Sequence, residues 1–109
     1  MININELINK YKKFHDSVIE SSYYDINTQK AEIVLDALDF SEKNFNKRDK
    51  VKIIFSNVKE ICIKEMFSWD FIREVVIERS DDGKLMFFRT DIEKPVFSVI
   101  CEEIDGEII

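Results

Sequence analysis

The chain contains few of the residues that build irregular or chemically specialised proteins: its 109 residues include two glycines, one proline, two cysteines and one histidine. So little glycine and proline excludes collagen-like, linker-rich and low-complexity chains. Two isolated glycines also cannot supply the glycine-rich backbone that cradles phosphate groups. The composition therefore points to a folded domain without a glycine-rich phosphate-binding loop.

The chain also lacks the residues that usually form disulfide frameworks and metal sites. Cys62 and Cys101 each stand inside an apolar run and show no CxxC spacing, so we predict two reduced thiols in the core. With His15 as the only histidine, a zinc site would need carboxylates as its other ligands, which is uncommon. Residues 80–83 (SDDG) lack the later ligands of a calcium loop. We predict no metal ion and no other cofactor.

Long hydrophobic runs are absent too. No apolar run approaches the ~20 residues that span a bilayer, and the beginning MININELINKYKK does not resemble a secretory signal. We therefore expect a cytoplasmic protein that does not act on a membrane. Hydrophobic residues nevertheless make up 45% of the chain, with 9 Phe, 3 Tyr and 1 Trp. This is enough for one domain over residues 1–109, since each buried aromatic removes roughly 150–250 Å² from water.

The net charge of −6 is unevenly distributed. Residues 1–55 carry nine basic and nine acidic side chains, whereas residues 56–109 carry seven basic and thirteen acidic ones. This excess disfavours nucleic acid, which requires clustered Lys and Arg, and the one basic patch at residues 47–52 lies among acids. Two interpretations remain open: an acidic surface for a basic protein partner, or charge that serves solubility.

The periodicity predicts one helix followed by strands. In residues 4–14, Leu7, Ile8, Tyr11 and Phe14 recur at helical spacing, and Asn3 or Asn5 is a candidate N-cap. Strand patterns then cover residues 18–25, 31–38, 51–56, 58–64, 73–80, 85–91 and 96–104.

Turn residues connect these segments. We predict a hairpin loop at residues 25–30, a long loop or single helical turn at 39–50, an apolar knot at 65–71, a tight turn at 80–84 and a turn at Gly106. No strand–helix–strand alternation is present, so a parallel sheet is disfavoured. The predicted fold is α+β and mainly antiparallel: a curled sheet or sandwich of six to seven strands with the N-terminal helix packed against it.

His15 allows a structural and a catalytic interpretation. An imidazole needs a positioned nucleophile, carboxylate or metal, and neighbours such as Asp16 point in other directions on a strand. We favour a structural corner in which Asp16 or Ser17 bonds backbone groups at the end of the helix. An enzyme that uses His15 with a distant carboxylate stays open as an alternative. The carboxylate pairs in the chain (Asp81/Asp82, Glu102/Glu103 and Asp36/Asp39) show no spacing that selects one of them.

Four segments together resemble several families of small bacterial proteins. They are Phe14-His15-Asp16-Ser17-Val18-Ile19, Tyr23-Tyr24-Asp25, Ile33-Val34-Leu35-Asp36 and Ile54-Phe55-Ser56-Asn57-Val58. Some members of these families are similar to immunity proteins of bacterial polymorphic toxin systems, which bind a co-expressed toxin and block it. The resemblance implies a small antiparallel β domain that is not an enzyme, and it identifies no binding residue.

The sequence therefore leads to a hypothesis of toxin neutralisation by protein–protein contact. The partner would present a basic surface, and the contact would be made by acids around an aromatic anchor, or these aromatics would be core. The predicted partner-binding residues are Phe67, Trp69, Asp70, Glu74, Asp81 and Asp82. A binding or scaffold domain that acts through a homodimer or an exposed sheet edge is the alternative.

Overall fold

The computed structural model describes residues 2–40, 47–63, 72–80, 83–89 and 95–109. These residues form one helix and nine strands. The elements are β1 (Ile2–Asn3), α1 (Ile4–Lys10), β2 (Val18–Asp25), β3 (Lys30–Leu38), β4 (Arg48–Ser56), β5 (Glu60–Ile63), β6 (Glu74–Ser80), β7 (Gly83–Arg89), β8 (Pro95–Cys101) and β9 (Glu103–Ile108).

The strands make two antiparallel sheets. The first sheet has the order β1-β9-β4-β3-β2, and the second has the order β5-β8-β7-β6. The predicted α+β, mainly antiparallel fold is thereby confirmed. The number of strands is larger than predicted for two reasons. Residues 2–3 add a short strand opposite β9, and the predicted strand 96–104 is divided at Glu102, whose N–H bonds the carbonyl of Ser56 at 3.1 Å.

Strict alternation of buried and half-buried residues builds the shared core. On β3, and on β4 from Val51 onward, every second side chain is buried, because successive side chains of a strand point to opposite faces. The buried side chains of these two strands are Ala31, Ile33, Leu35, Ala37, Val51, Ile53 and Phe55. They belong to the same hydrophobic cluster as Met86, Phe88 and Val99 of the second sheet, so the two sheets share one core.

The helix is shorter than predicted, although its apolar face is correct. Asn3 is the N-cap, and its side chain accepts a hydrogen bond from the Asn5 N–H at 2.8 Å. Helix α1 ends at Lys10 and not at residue 14, because the backbone turns left-handed beyond it. Tyr11 and Phe14 are still fully buried, since this turn directs them toward the same core.

Gly106 is not the turn that we predicted. It lies within β9, opposite Ile53 of β4. A Cβ atom at this position would stand 2.3 Å from Cδ1 of Leu7, so the missing side chain allows α1 to pack closely on the sheet. The predicted turn at residues 80–84 is tighter than expected, because Ser80 already pairs with Gly83 and only the two undescribed residues 81 and 82 connect β6 to β7.

Other boundaries also shift. The predicted loop 39–50 ends earlier, since β4 begins at Arg48. The apolar knot at residues 65–71 lies outside the described residues. Both cysteines are free thiols, but only Cys101 is buried; Cys62 is half-buried on β5, so the predicted core location is wrong for it. In the described part of the chain no helix is long and apolar enough to cross a bilayer.

Candidate functional site

Strand β2 is the outermost strand of the first sheet. It pairs with β3 on one side and, within the described part of the chain, with no strand on the other. None of its eight residues is buried, and the five residues from Glu20 to Tyr24 are all exposed. A strand of this length with an open edge presents a row of unpaired N–H and C=O groups to solvent.

The end of β2 carries large exposed apolar side chains. Tyr23 is 62% exposed and Tyr24 is 40% exposed, and Ile26 in the following turn is 77% exposed. The carboxylate of Asp25 accepts hydrogen bonds from the N–H groups of Asn27 and Thr28 at 2.9 and 3.4 Å, which fixes the turn. We call the exposed residues Glu20, Ser21, Ser22, Tyr23, Tyr24 and Ile26 the β2 edge surface.

A bulge separates this surface from the beginning of β2. Ile19 pairs with Leu35 and Ser21 pairs with Val34, so Glu20 is an extra residue between them. From Ser21 onward the register with β3 is regular as far as Asp25. The bulge alters the edge at one point and leaves the following residues as an ordinary open strand.

The outer face of the first sheet is covered with ion pairs. Lys50 contacts the carboxylate of Glu20 and lies 3.9 Å from that of Asp36, and Arg48 Nε lies 3.2 Å from Asp36 Oδ1. Lys50 belongs to β4, so its side chain crosses β3 to reach Glu20. These exposed pairs each contribute little to stability. Arg48 and Lys50 are therefore matched to neighbouring carboxylates on this face.

A strained corner joins α1 to β2 and ties β2 to the second sheet. Lys12, Lys13 and Phe14 have φ values of 48°, 57° and 57°, and Asp16 follows with 60°. Such left-handed conformations cost free energy in non-glycine residues and persist where surrounding contacts hold them. Two backbone hydrogen bonds to Ile72 hold this corner. The carbonyl of Ile72 accepts from the N–H of Asp16 at 2.8 Å, and the N–H of Ile72 donates to the carbonyl of Ser17 at 2.7 Å.

His15 lies on the outside of this corner. Its Nδ1 is 2.9 Å from the carbonyl oxygen of Arg73, so Nδ1 carries the proton of that hydrogen bond. Its Nε2 is 3.7 Å from Asp16 Oδ1, which exceeds hydrogen-bond length, and the ring is about half exposed beside Phe40. The contact with Arg73 links the corner to β6, which begins at the next residue, Glu74. The predicted side-chain bonding by Ser17 is not found among the described residues, where its buried hydroxyl has no partner.

A second polar cluster lies beneath the end of α1. The hydroxyl of Tyr11 donates to Asp49 at 2.7 Å, and the buried carboxylate of Asp39 lies 4.0 Å from Lys10 and 3.8 Å from Lys47. These contacts fasten the helix end to the beginning of β4 and to the residue that follows β3. No group of three or more His, Cys, Asp and Glu in the described ranges is placed to hold a metal ion.

The raised pKa values of two buried groups, Tyr11 in this cluster and Cys101 on β8, predict a loss of stability at alkaline pH. Burial, the hydrogen bond to Asp49 and the nearby carboxylates raise the pKa of Tyr11 well above 10, and burial raises the pKa of Cys101 from 9.0 to about 11. The unfolded chain therefore releases these protons first, and the free energy of unfolding falls as pH rises above about 9. Urea unfolding at several pH values between about 8 and 11 measures this slope.

Two variants separate the two contributions. We expect Cys101→Ala to remove the part of the slope that begins near pH 9, and Tyr11→Phe to remove the part that begins near pH 10. A free energy of unfolding that stays constant through this range in the unmodified protein contradicts the prediction.

The predicted partner-binding residues fall mostly outside the described part of the chain. Phe67, Trp69, Asp70, Asp81 and Asp82 are among the undescribed residues, so their proposed role stays a prediction. Glu74 is described: it is the first residue of β6, is partly buried, and lies opposite Arg89 of β7 in the register of the two strands.

Sequence reasoning missed the β2 edge surface. It predicted the strand correctly but did not predict that Tyr23, Tyr24 and Ile26 are exposed. The available signal was the sequence Glu20-Ser21-Ser22, which interrupts the alternation of apolar residues that a half-buried strand shows.

The chain was compared with known proteins in two ways. No model of a protein family matches the sequence. No curated protein matches it either.

Proposed function

We propose that this protein binds another protein and blocks it, as immunity proteins of bacterial polymorphic toxin systems do with their toxins. The observation that carries the proposal is the β2 edge surface, where an edge that no described strand pairs with lies beside the exposed side chains of Tyr23, Tyr24 and Ile26. Exposed tyrosines are frequent anchors of protein interfaces, because they bury a large area and also donate a hydrogen bond.

The net charge supports a basic partner. At −6 the protein attracts a positively charged surface, which accelerates association and excludes acidic partners. A toxin domain that acts on nucleic acid presents such a surface, and an acidic protein seated on it would occlude the substrate. The sequence resemblance to immunity proteins favours a toxin as the partner without selecting its kind, and the protein would meet that toxin in the cytoplasm.

The proposal assigns no reaction to the chain. The Nδ1 of His15 is engaged by a backbone carbonyl, and Asp16 stands too far from Nε2 to act as its hydrogen-bonded partner. Among the described residues, no nucleophile and no carboxylate is hydrogen-bonded to this imidazole. Binding alone therefore carries the proposed function.

Co-expression tests the proposal directly. The protein is produced together with the product of the gene beside its own, in a host whose growth that product arrests. We expect growth to be restored and the two proteins to purify as one complex. A neighbouring product that leaves growth unaffected, or an arrest that this protein does not relieve, contradicts the proposal.

Substitutions at the β2 edge surface locate the interface. We expect Tyr23→Ala combined with Tyr24→Ala to weaken the complex at least about 100-fold, since each anchor residue is worth about 2 kcal/mol or more. Ile26→Ala is expected to weaken it by a smaller factor. Ile63→Ala is the matched control, because Ile63 is a similarly exposed isoleucine (57%) on β5 of the other sheet. Calorimetric titration with the toxin measures the dissociation constants of the original protein and the three variants. If Ile26→Ala and Ile63→Ala weaken the complex equally, the interface lies elsewhere.

The open edge also favours a second candidate, a scaffold domain that forms a homodimer through β2. The mass in solution distinguishes the two, since the toxin-binding proposal requires a monomer with a free edge before the partner arrives. A stable dimer with β2 at its interface would favour the second candidate.

A further inference from the structure

We infer that the partner adds a strand to the first sheet along β2, and that this strand is an extended basic segment of the partner protein. The inference rests on the proposed function and states how the partner is held. It assigns most of the recognition to backbone hydrogen bonds, with side chains selecting the sequence.

The backbone of β2 is ready for such pairing. After the bulge at Glu20, residues 21–25 continue in regular register with β3, so the N–H and C=O groups of alternate residues point away from the sheet. Ser21 and Ser22 are small and exposed, and they let another backbone approach closely. The edge carries no proline, which is one of the usual devices that prevent pairing.

Aromatic side chains stand on both faces of this edge. Tyr24 is opposite the buried Ala31 and therefore lies on the inner face, whereas Tyr23 is opposite Glu32 on the outer face. A strand added beside β2 places its own side chains alternately on these two faces, next to one tyrosine on each. Cross-strand contacts with aromatic rings are among the stronger pairs in sheets.

The charge along this segment selects a basic occupant. Residues 16–29 contain three acids, Asp16, Glu20 and Asp25, and no Lys, Arg or His. Lys50 contacts Glu20 from the side of β3 and offsets part of its charge, so the acidity of this segment comes chiefly from Asp16 and Asp25. A second copy laid antiparallel on β2 would bring two such acidic segments together, and like charges across strands are destabilising. A segment with lysine or arginine is therefore favoured over a homodimer.

Peptides of the same length as β2, with blocked ends, test the inference. The first alternates lysine and valine, the second alternates glutamate and valine, and the third alternates lysine and proline. The third keeps the charge but cannot form a strand, because proline lacks the N–H. We expect only the lysine–valine peptide to slow amide hydrogen exchange in residues 21–25, by at least about tenfold at saturation.

Four results would overturn the inference. Equal protection by the lysine–proline peptide would show attraction by charge without strand pairing. Protection outside β2, or no protection by any peptide, would show that the edge accepts no strand. Protection of β2 that grows with protein concentration without peptide would identify a second copy as the occupant.

Proline substitutions connect this result to the toxin. In a regular edge strand, only one of Ser21 and Ser22 directs its N–H outward, and proline is tolerated there. Thermal unfolding of Ser21→Pro and Ser22→Pro identifies which serine has the outward N–H, since proline at that position causes the smaller loss of stability. We expect this variant to lose protection by the peptide and to lose toxin neutralisation.

The outcomes separate the two proposals. Neutralisation that survives the edge proline overturns strand addition and leaves toxin binding standing. An unmodified protein that neutralises nothing overturns the proposed function, while the peptide experiment still decides whether the edge accepts a basic strand.

Discussion

Replacing Phe14 with alanine is expected to lower the free energy of unfolding by about 3–5 kcal/mol, the usual cost of removing a buried aromatic ring. Phe14 is fully buried and stacks on Tyr11 with ring centroids 5.6 Å apart. The corner around it also carries two hydrogen bonds: the carbonyl of Lys13 accepts from the N–H of Val75, and the N–H of Asp16 donates to the carbonyl of Ile72. Loss of the ring therefore removes core packing at the point where β2 is tied to the second sheet.

Glycine at the same position is expected to do no further harm. In most contexts glycine destabilises more than alanine, by roughly 0.5–1 kcal/mol, because it loses more backbone freedom. Phe14 has a φ of 57°, where a side chain costs roughly 1–2 kcal/mol and glycine has no such cost. We expect Phe14→Gly to be as stable as Phe14→Ala or more stable by urea unfolding.

Lys13 provides a control for the backbone alone. It has the same φ of 57°, but its side chain is exposed, so Lys13→Gly changes the backbone without opening the core. We expect this variant to keep its stability or to gain up to about 1 kcal/mol. If Lys13→Gly destabilises as an ordinary glycine substitution does, the left-handed corner is not strained and the reasoning for Phe14 fails as well.

Replacing Gly83 with alanine is the second large expected effect, a loss of about 2–5 kcal/mol. Gly83 has a φ of 132°, which side chains rarely allow. A Cβ atom there would also stand 2.4 Å from the carbonyl oxygen of Cys101 on β8. Because the obstructing atom belongs to the backbone of a neighbouring strand, the clash is relieved only if the strands separate.

Gly106 is the matched control, since its obstacle is a side chain. Alanine at Gly106 meets Cδ1 of Leu7, and overpacking of this kind costs about 1–3 kcal/mol. Leu7→Val removes that methyl group, so Gly106→Ala is expected to cost less in the Leu7→Val background than in the original protein. Gly83→Ala should keep its full cost in that background. A double-mutant cycle by urea unfolding measures both couplings, and an equal cost of Gly106→Ala in the two backgrounds would contradict the assigned contact.

The pattern of apolar residues predicted the strands that form the centre of the first sheet. Residues 31–38 and 51–56 alternate strictly, and a one-residue shift would expose every core side chain of β3 or β4. The division of the last strand at Glu102 left no such signal. It depends on a hydrogen bond to Ser56, which is distant in sequence.

The candidate site was less predictable than the fold. The sequence identified Val18–Asp25 as a strand. An edge strand and a central strand differ in whether they have one neighbouring strand or two, and the local pattern of apolar residues does not contain that information. The exposure of Tyr23 and Tyr24 follows from the position of β2 at the end of the order β1-β9-β4-β3-β2. The predicted interface at Trp69 and its neighbours stays a prediction, because it falls outside the described residues.

By itself, the amino-acid sequence determined which segments form the longer strands, which face of the helix is buried and that the chain is acidic, since periodicity and charge are local properties. Tertiary structure alone decided that the backbone turns left-handed after Lys10, that Gly106 makes room for Leu7 and that one side of β2 is covered by no strand of the described residues. Each of these depends on contacts between residues far apart in the chain, and the free energy of those contacts outweighs local preference.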